Sequence, residues 1–130
     1  MKYKFKEWAY IGTGGALGSL LRASITQLFT TTTFPIATLL VNLLGSLLLG
    51  GITAYLYGRS NQSLHLFFGI GFCGSFTTMS MFAADATILL EQGQTTMFLW
   101  YNLLSVICGI LLAILGFILI KNILEKRGTQ

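Results

Sequence analysis

Apolar residues run along this chain in stretches too long for a soluble helix or strand, and polar clusters interrupt them at three places: "TTTTFP" at 30–35, "GRSNQS" at 58–63 and "EQGQTT" at 91–96. Clusters of turn-forming and polar residues punctuate secondary structure. They divide the chain into four apolar stretches, near 8–29, 36–57, 65–90 and 97–120. Each reaches the ~20 residues that carry a helix through a bilayer. No charged residue occurs from Ala23 to Tyr57, or between Glu91 and Lys121. The pattern predicts an all-α membrane protein: residues 1–130 as a single four-helix transmembrane domain, multi-pass in the cell membrane and surrounded by its lipid.

Composition strengthens this picture, with 54% of the residues apolar and 9% charged, against roughly a quarter charged in soluble domains. Lys2, Lys4 and Lys6 ahead of an apolar run imitate a signal peptide, but further apolar stretches follow in place of a soluble domain. Cys73 and Cys108 fall inside spans, where they act as small apolar residues. No catalytic constellation, phosphate-binding loop or metal-ligand cluster is evident, which argues against an enzyme or a pump.

The net charge of +4 says more about topology than about nucleic acid. With four spans, both termini and the 58–63 loop share one side, and that side holds Lys2, Lys4, Lys6, Arg59, Lys121, Lys126 and Arg127. The eighth basic residue, Arg22, lies at the end of the first span. The positive-inside rule then makes the termini cytoplasmic.

Several span residues are too polar to face lipid. Gly14, Gly15, Gly18 and Ser19 in span one, Thr38, Gly45, Ser46 and Thr53 in span two, and Gly109 and Gly116 in span four recur mostly at helical spacing, as small residues do where membrane helices pack. Arg22 and Asn42 should face protein or water. Arg22 reads as structural, snorkelling or pairing with helix-end carbonyls. The amide of Asn42 has two readings, an interhelical hydrogen bond or a pair of donors for an anion. Asp85, the one acid deep in a span, is an ion site or part of a watery vestibule.

The third span contains "GFCGSFTTMSM" at 71–81. Gly71 and Gly74 weaken a helix, and hydroxyl side chains compete for its backbone bonds, so the spacing predicts a broken helix between Gly74 and Thr77. Backbone freed at membrane depth must be buried in protein or line a cavity, and freed carbonyls are a usual ligand set for a small cation.

Three segments, "GTGGALGSLLRAS" (12–24), "ATLLVNLLGSLLLG" (37–50) and "GIGFCGSFTTMSMFAAD" (69–85), together resemble the Fluc/CrcB fluoride channel family over nearly the whole chain. The resemblance implies a passive, fluoride-selective channel that lowers cytoplasmic fluoride. It also implies an antiparallel dual-topology-type dimer of four-span subunits, with two anion pathways and a structural sodium ion (Na+) at its centre that is not transported. Carried over by motif position, the Gly74 and Thr77 carbonyls hold the sodium. Asn42, Ser80, Phe82, Tyr101 and Ser105 line the anion pathway, together with position 79, and Arg22 and Asp85 belong to a vestibule or the structural frame. Fluoride is small and strongly hydrated, so a selective path must replace its water with donors in a narrow space. Amide and hydroxyl hydrogens and the positive edges of aromatic rings serve that purpose.

The chain departs from the family pattern where "TTMSMF" places Met79 at a ring position and Met81 at a hydroxyl position. Methionine fills space without a positive ring edge. Together with the one-sided basic residues, this leaves both a homodimer and a heterodimer with a second chain of the same family open. Two other classes also stand at this stage: a small multidrug-type proton-coupled antiporter, which needs an embedded acid that the first span lacks beyond Glu7, and a non-conducting membrane subunit, which leaves Asn42 and Tyr101 without a purpose.

Overall fold

The computed structural model describes residues 4–29, 33–57, 59 and 61–128. Lys2 and parts of the interruptions at 30–35 and 58–63 lie outside the described residues, as does the Arg127 side chain. The described residues form helices: α1 (Phe5–Leu28), α2 (Ile36–Leu56), α3 over 62–76, α4 (Met79–Glu91) and α5 (Thr95–Gly128). Within α3, a turn at Gln62–Leu64 leads into a π-helical stretch, His65–Cys73, and ends in a turn at Gly74–Phe76.

Three segments, Ile36–Leu56, Gln62–Glu91 and Thr95–Lys126, are long and apolar enough to cross a membrane. The first predicted span differs. α1 has 24 residues, but its glycines, hydroxyls and Arg22 dilute its hydropathy. α5 also runs eight residues past the predicted boundary at 120, to Gly128. The added turns are polar and carry a Lys121–Glu125 ion pair at 3.8 Å, one helical turn apart.

The molecule wears its apolar residues outside. Leu103, Val106, Ile107, Ile110, Leu111 and Ile114 of α5 are all exposed, whereas glycines and hydroxyl residues lie between helices. This inverted arrangement suits a lipid surround, where apolar contact between helices brings no hydrophobic gain and close backbone packing holds them together.

That packing is local and specific. α1 lies on α3, and α2 lies on α5. A Cβ at Gly14 would collide with the Phe67 carbonyl, and one at Gly18 with the Phe72 carbonyl. From the other side, a Cβ at Gly71 would sit 2.6 Å from the Ile11 carbonyl oxygen. The second pair repeats the device, since Cβ atoms at Gly50 and Gly116 would strike the carbonyls of Ala113 and Leu47.

Helix ends are set by local chemistry. α1 opens with the Glu7 carboxylate accepting the Lys4 N–H at 2.7 Å, a negative group where the helix dipole favours one. α4 closes with Gly93 at φ 72°, and the N–H groups of Gly93 and Gln94 fold back onto the carbonyls of Leu90 and Leu89 at 3.0 and 2.9 Å. A glycine in the left-handed region ends a helix in this way, which accounts for the interruption at "EQGQTT".

Candidate functional site

Between α3 and α4 the backbone of Thr77 and Thr78 is extended, with φ/ψ of −77°/159° and −149°/118°. Two extended residues leave polar backbone groups that the helices on either side do not satisfy, and in a water-poor setting such groups need partners. The Asn42 side chain supplies them. Its Nδ2 donates to the Thr78 carbonyl at 3.0 Å, and its Oδ1 accepts the Thr78 N–H at 2.7 Å. A carboxamide carries the same donor and acceptor pair as a peptide unit, so one side chain answers both groups. Gly45, one turn further along α2, makes room for this, since a Cβ there would run into the Thr77 methyl.

The clamp has a consequence for the carbonyls. In a continuous helix the Thr78 N–H would bond the Gly74 carbonyl, and the Met81 N–H would bond that of Thr77. Here the Thr78 N–H is taken by Asn42, and the Met81 N–H bonds the Thr78 hydroxyl at 3.2 Å, which caps α4. Gly74 and Thr77, the pair named from the sequence as cation ligands, are therefore the residues whose helical donors are diverted. Thr77 itself is tied back by its N–H and its hydroxyl to the Cys73 carbonyl, at 3.0 and 2.9 Å. Gly74 is exposed, and nothing stands within 4 Å of where its Cβ would be.

The remaining candidate residues fall into two groups. Tyr101 is fully buried. Its ring lies between Phe34, edge-on at 5.8 Å, and Phe82, tilted at 5.2 Å. Its hydroxyl donates to the Asp85 carboxylate at 3.4 Å, with the Thr38 hydroxyl also bonded to it. Arg22 and Ser80 line a second region, a cavity of about 420 Å³ shared with Thr26, Gln27, Thr78 and Met81. Thr26 and Met81 also line a neighbouring cavity of about 590 Å³ that includes Thr38 and Asp85. The two adjoin at the end of the bundle opposite the described parts of the termini, where Asp85 edges a polar recess and Arg22 and Ser80 a mostly apolar cavity beside it.

Other candidates stand apart. Met79 is 75% exposed at the first turn of α4 and points away from the bundle. Ser105, one turn beyond Tyr101 on α5, has a buried hydroxyl oxygen without a hydrogen-bond partner among the described residues. Cys73 and Cys108 are both free thiols. Among the described residues no cluster of histidine, cysteine, aspartate or glutamate is arranged to hold a metal ion, so a cation here would have to be held by other donors.

Sequence reasoning left Thr78 and Phe34 without roles and gave Thr38 only a place on a packing face. Thr38 sits four residues before Asn42 and thus on the same helical side, a signal that was present. Phe34 offered none, because an aromatic beside Pro35 reads as part of a turn.

The chain matches known proteins over most of its length. Residues 9–117 match the family model described as CrcB-like protein, Camphor Resistance (CrcB). A protein of Bacillus subtilis (strain 168) named Fluoride-specific ion channel FluC 2 is 41% identical over 96% of this chain and 98% of its own length. Fluoride-specific ion channel FluC of Deinococcus radiodurans is 39% identical over 88% of this chain and 95% of its own. Fluoride-specific ion channel FluC 1 of Latilactobacillus sakei is also 39% identical, over 87% and 86%. With matches of this extent, the chain belongs to the CrcB family, a family of ion channels and not of enzymes.

Proposed function

We propose that this chain is a subunit of a fluoride-selective channel that lets fluoride leave the cytoplasm passively and so limits its toxicity. The observation that carries the reading is the Asn42–Thr78 clamp, in a chain about 40% identical to relatives named as fluoride-specific channels. The clamp fixes the start of α4, where the Met79 and Ser80 N–H groups precede the first helical turn's bonds. A helix N-terminus favours an anion. Asn42 retains one amide hydrogen beyond its bond to Thr78, Ser80 brings a hydroxyl, and Phe82 and Tyr101 bring ring edges. The unpartnered Ser105 hydroxyl extends this series along α5.

The diverted donors at Gly74 and Thr77 fit a small hard cation, which prefers oxygen ligands. Sodium held by these two carbonyls would offset the partial negative charge that the interruption gathers. Exposed Gly74 suits a position shared with a second subunit, giving the antiparallel dimer of four-span subunits in which α1 also crosses the membrane. The termini are assigned to the cytoplasm by their basic residues.

A heterodimer is favoured by one observation: Met79 projects from the bundle at a position where the family carries a ring. A methionine there supplies no ring edge to a path shared with a partner, and relatives are named both FluC 1 and FluC 2. The test is fluoride efflux from liposomes holding this chain alone, followed with a fluoride electrode. Robust efflux assigns a homodimer. Efflux only after co-expression with a second family chain assigns a pair, and coupled proton movement or equal chloride loss overturns the channel reading.

A further inference from the structure

At the end of the bundle opposite the polar recess, α2, α3 and α5 enclose an apolar groove of about 550 Å³. Gly51 and Gly116 give it depth, and Leu48, Ile52, Tyr55, Phe68 and Leu119 are among the residues that line it. Four of these, Leu48, Tyr55, Phe68 and Leu119, are more than 40% exposed, so the groove opens outward. Along α2 it runs from Leu47 to Leu56. At 1.5 Å per residue that is about 13 Å, close to half of a ~30 Å hydrocarbon core. Its depth therefore matches one leaflet.

The groove ends beside a fixed positive charge. The Arg59 guanidinium lies 4.5 Å over the Tyr55 ring, stacked on the residue that closes the apolar lining. The Arg59 N–H bonds the Leu56 carbonyl at 2.9 Å, which holds the residue close to the end of α2. No carboxylate among the described residues pairs with its guanidinium. The chain has eight basic and four acidic side chains, and of the acids at this end Glu125 pairs with Lys121, while Glu7 accepts hydrogen bonds from the neutral Gln62 amide and Lys4 backbone N–H. The complementary charge at this end must come largely from outside the polypeptide.

We infer that the groove is a binding site for an anionic phospholipid, with one acyl chain along Leu48, Ile52 and Leu119 and its phosphate against Arg59. An arginine offers a planar fork of donors that suits phosphate, and stacking on Tyr55 aims it without consuming those donors. The site rests on the membrane reading above and is separate from the proposed anion path at the other end of the bundle.

Native mass spectrometry of the full chain in detergent, with phosphatidylglycerol or phosphatidylcholine of identical acyl chains, tests it. Wild type should retain phosphatidylglycerol in preference by roughly fivefold, the contribution of one basic residue near an anionic headgroup. Arg59→Gln should erase the preference while leaving helix content unchanged, since Arg59 is exposed and outside the helices. Leu48→Trp, which fills the groove, should lower retention of both lipids. Equal retention by wild type, or a preference that survives Arg59→Gln, overturns the site. Protection of Ile52→Cys, with Cys73 and Cys108 replaced by alanine, from maleimide labelling in the dimer but not in dissociated subunits assigns the groove to a second subunit and overturns it as well. Retention is read without flux, so failure of the fluoride reading would leave this result standing.

Discussion

Along α2 and α5 the backbones meet at Gly50 and Gly116 within continuous helices, whereas at Thr77 and Thr78 the helix opens and a side chain from α2 takes over its hydrogen bonding. Both regions use small or polar residues in an apolar stretch. In the first, removing side chains lets two backbones touch, and nothing polar is gained. In the second, a polar side chain substitutes for missing backbone partners and frees two carbonyls. The same kind of sequence signal thus has a packing use and a site-building use, and the polar partner on the neighbouring helix separates them.

The largest expected effect lies in the packing region. Gly50→Leu or Gly116→Leu drives a side chain into a facing carbonyl that belongs to a helix and cannot swing aside. The loss should reach or exceed the ~3 kcal/mol upper end of ordinary overpacking, seen as aggregation on size-exclusion chromatography. Gly12→Ala, where nothing lies within 4 Å, should behave as wild type. Equal tolerance at Gly12 and Gly50 would break the comparison.

Next comes the clamp. Asn42→Leu leaves the Thr78 N–H and carbonyl unpartnered, at about 1–3 kcal/mol for each group, measurable as a lower melting temperature in detergent. Thr78→Val removes the cap on Met81 and the 3.2 Å contact with the Ser80 hydroxyl, and should cost about 1 kcal/mol. Tyr101→Phe removes the long bond to Asp85 and the bond with the Thr38 hydroxyl and should cost about 1 kcal/mol. An effect of Tyr101→Phe equal to that of Asn42→Leu would show that the clamp has no special place.

Much of this was legible in the sequence because membrane length and polar punctuation are one-dimensional signals. The third segment was expected to break, and the extended residues fall at Thr77 and Thr78, a little after the glycines at 71 and 74. The glycines serve differently: Gly71 meets α1, and Gly74 sits in open space. The partner of the interruption was not legible. Asn42 and Thr78 are 36 residues apart, and no local pattern shows that an amide on one helix will pair with a peptide unit on another. The π-helical stretch at His65–Cys73 was equally hidden, since no local pattern in those residues marks it. The reduced hydropathy of α1 was visible but was outweighed by its length.

Whether the clamp supports a selective path is decided by flux. Fluoride and chloride efflux should be compared, for wild type and Asn42→Leu, in liposomes made with whichever preparation conducts, the chain alone or the chain with its partner. A selective path supported by the clamp gives rapid fluoride loss with negligible chloride loss for wild type, and fluoride loss reduced to the level of empty liposomes for Asn42→Leu. Chloride leaving as fast as fluoride, or fluoride flux unchanged by Asn42→Leu in folded protein, would contradict it.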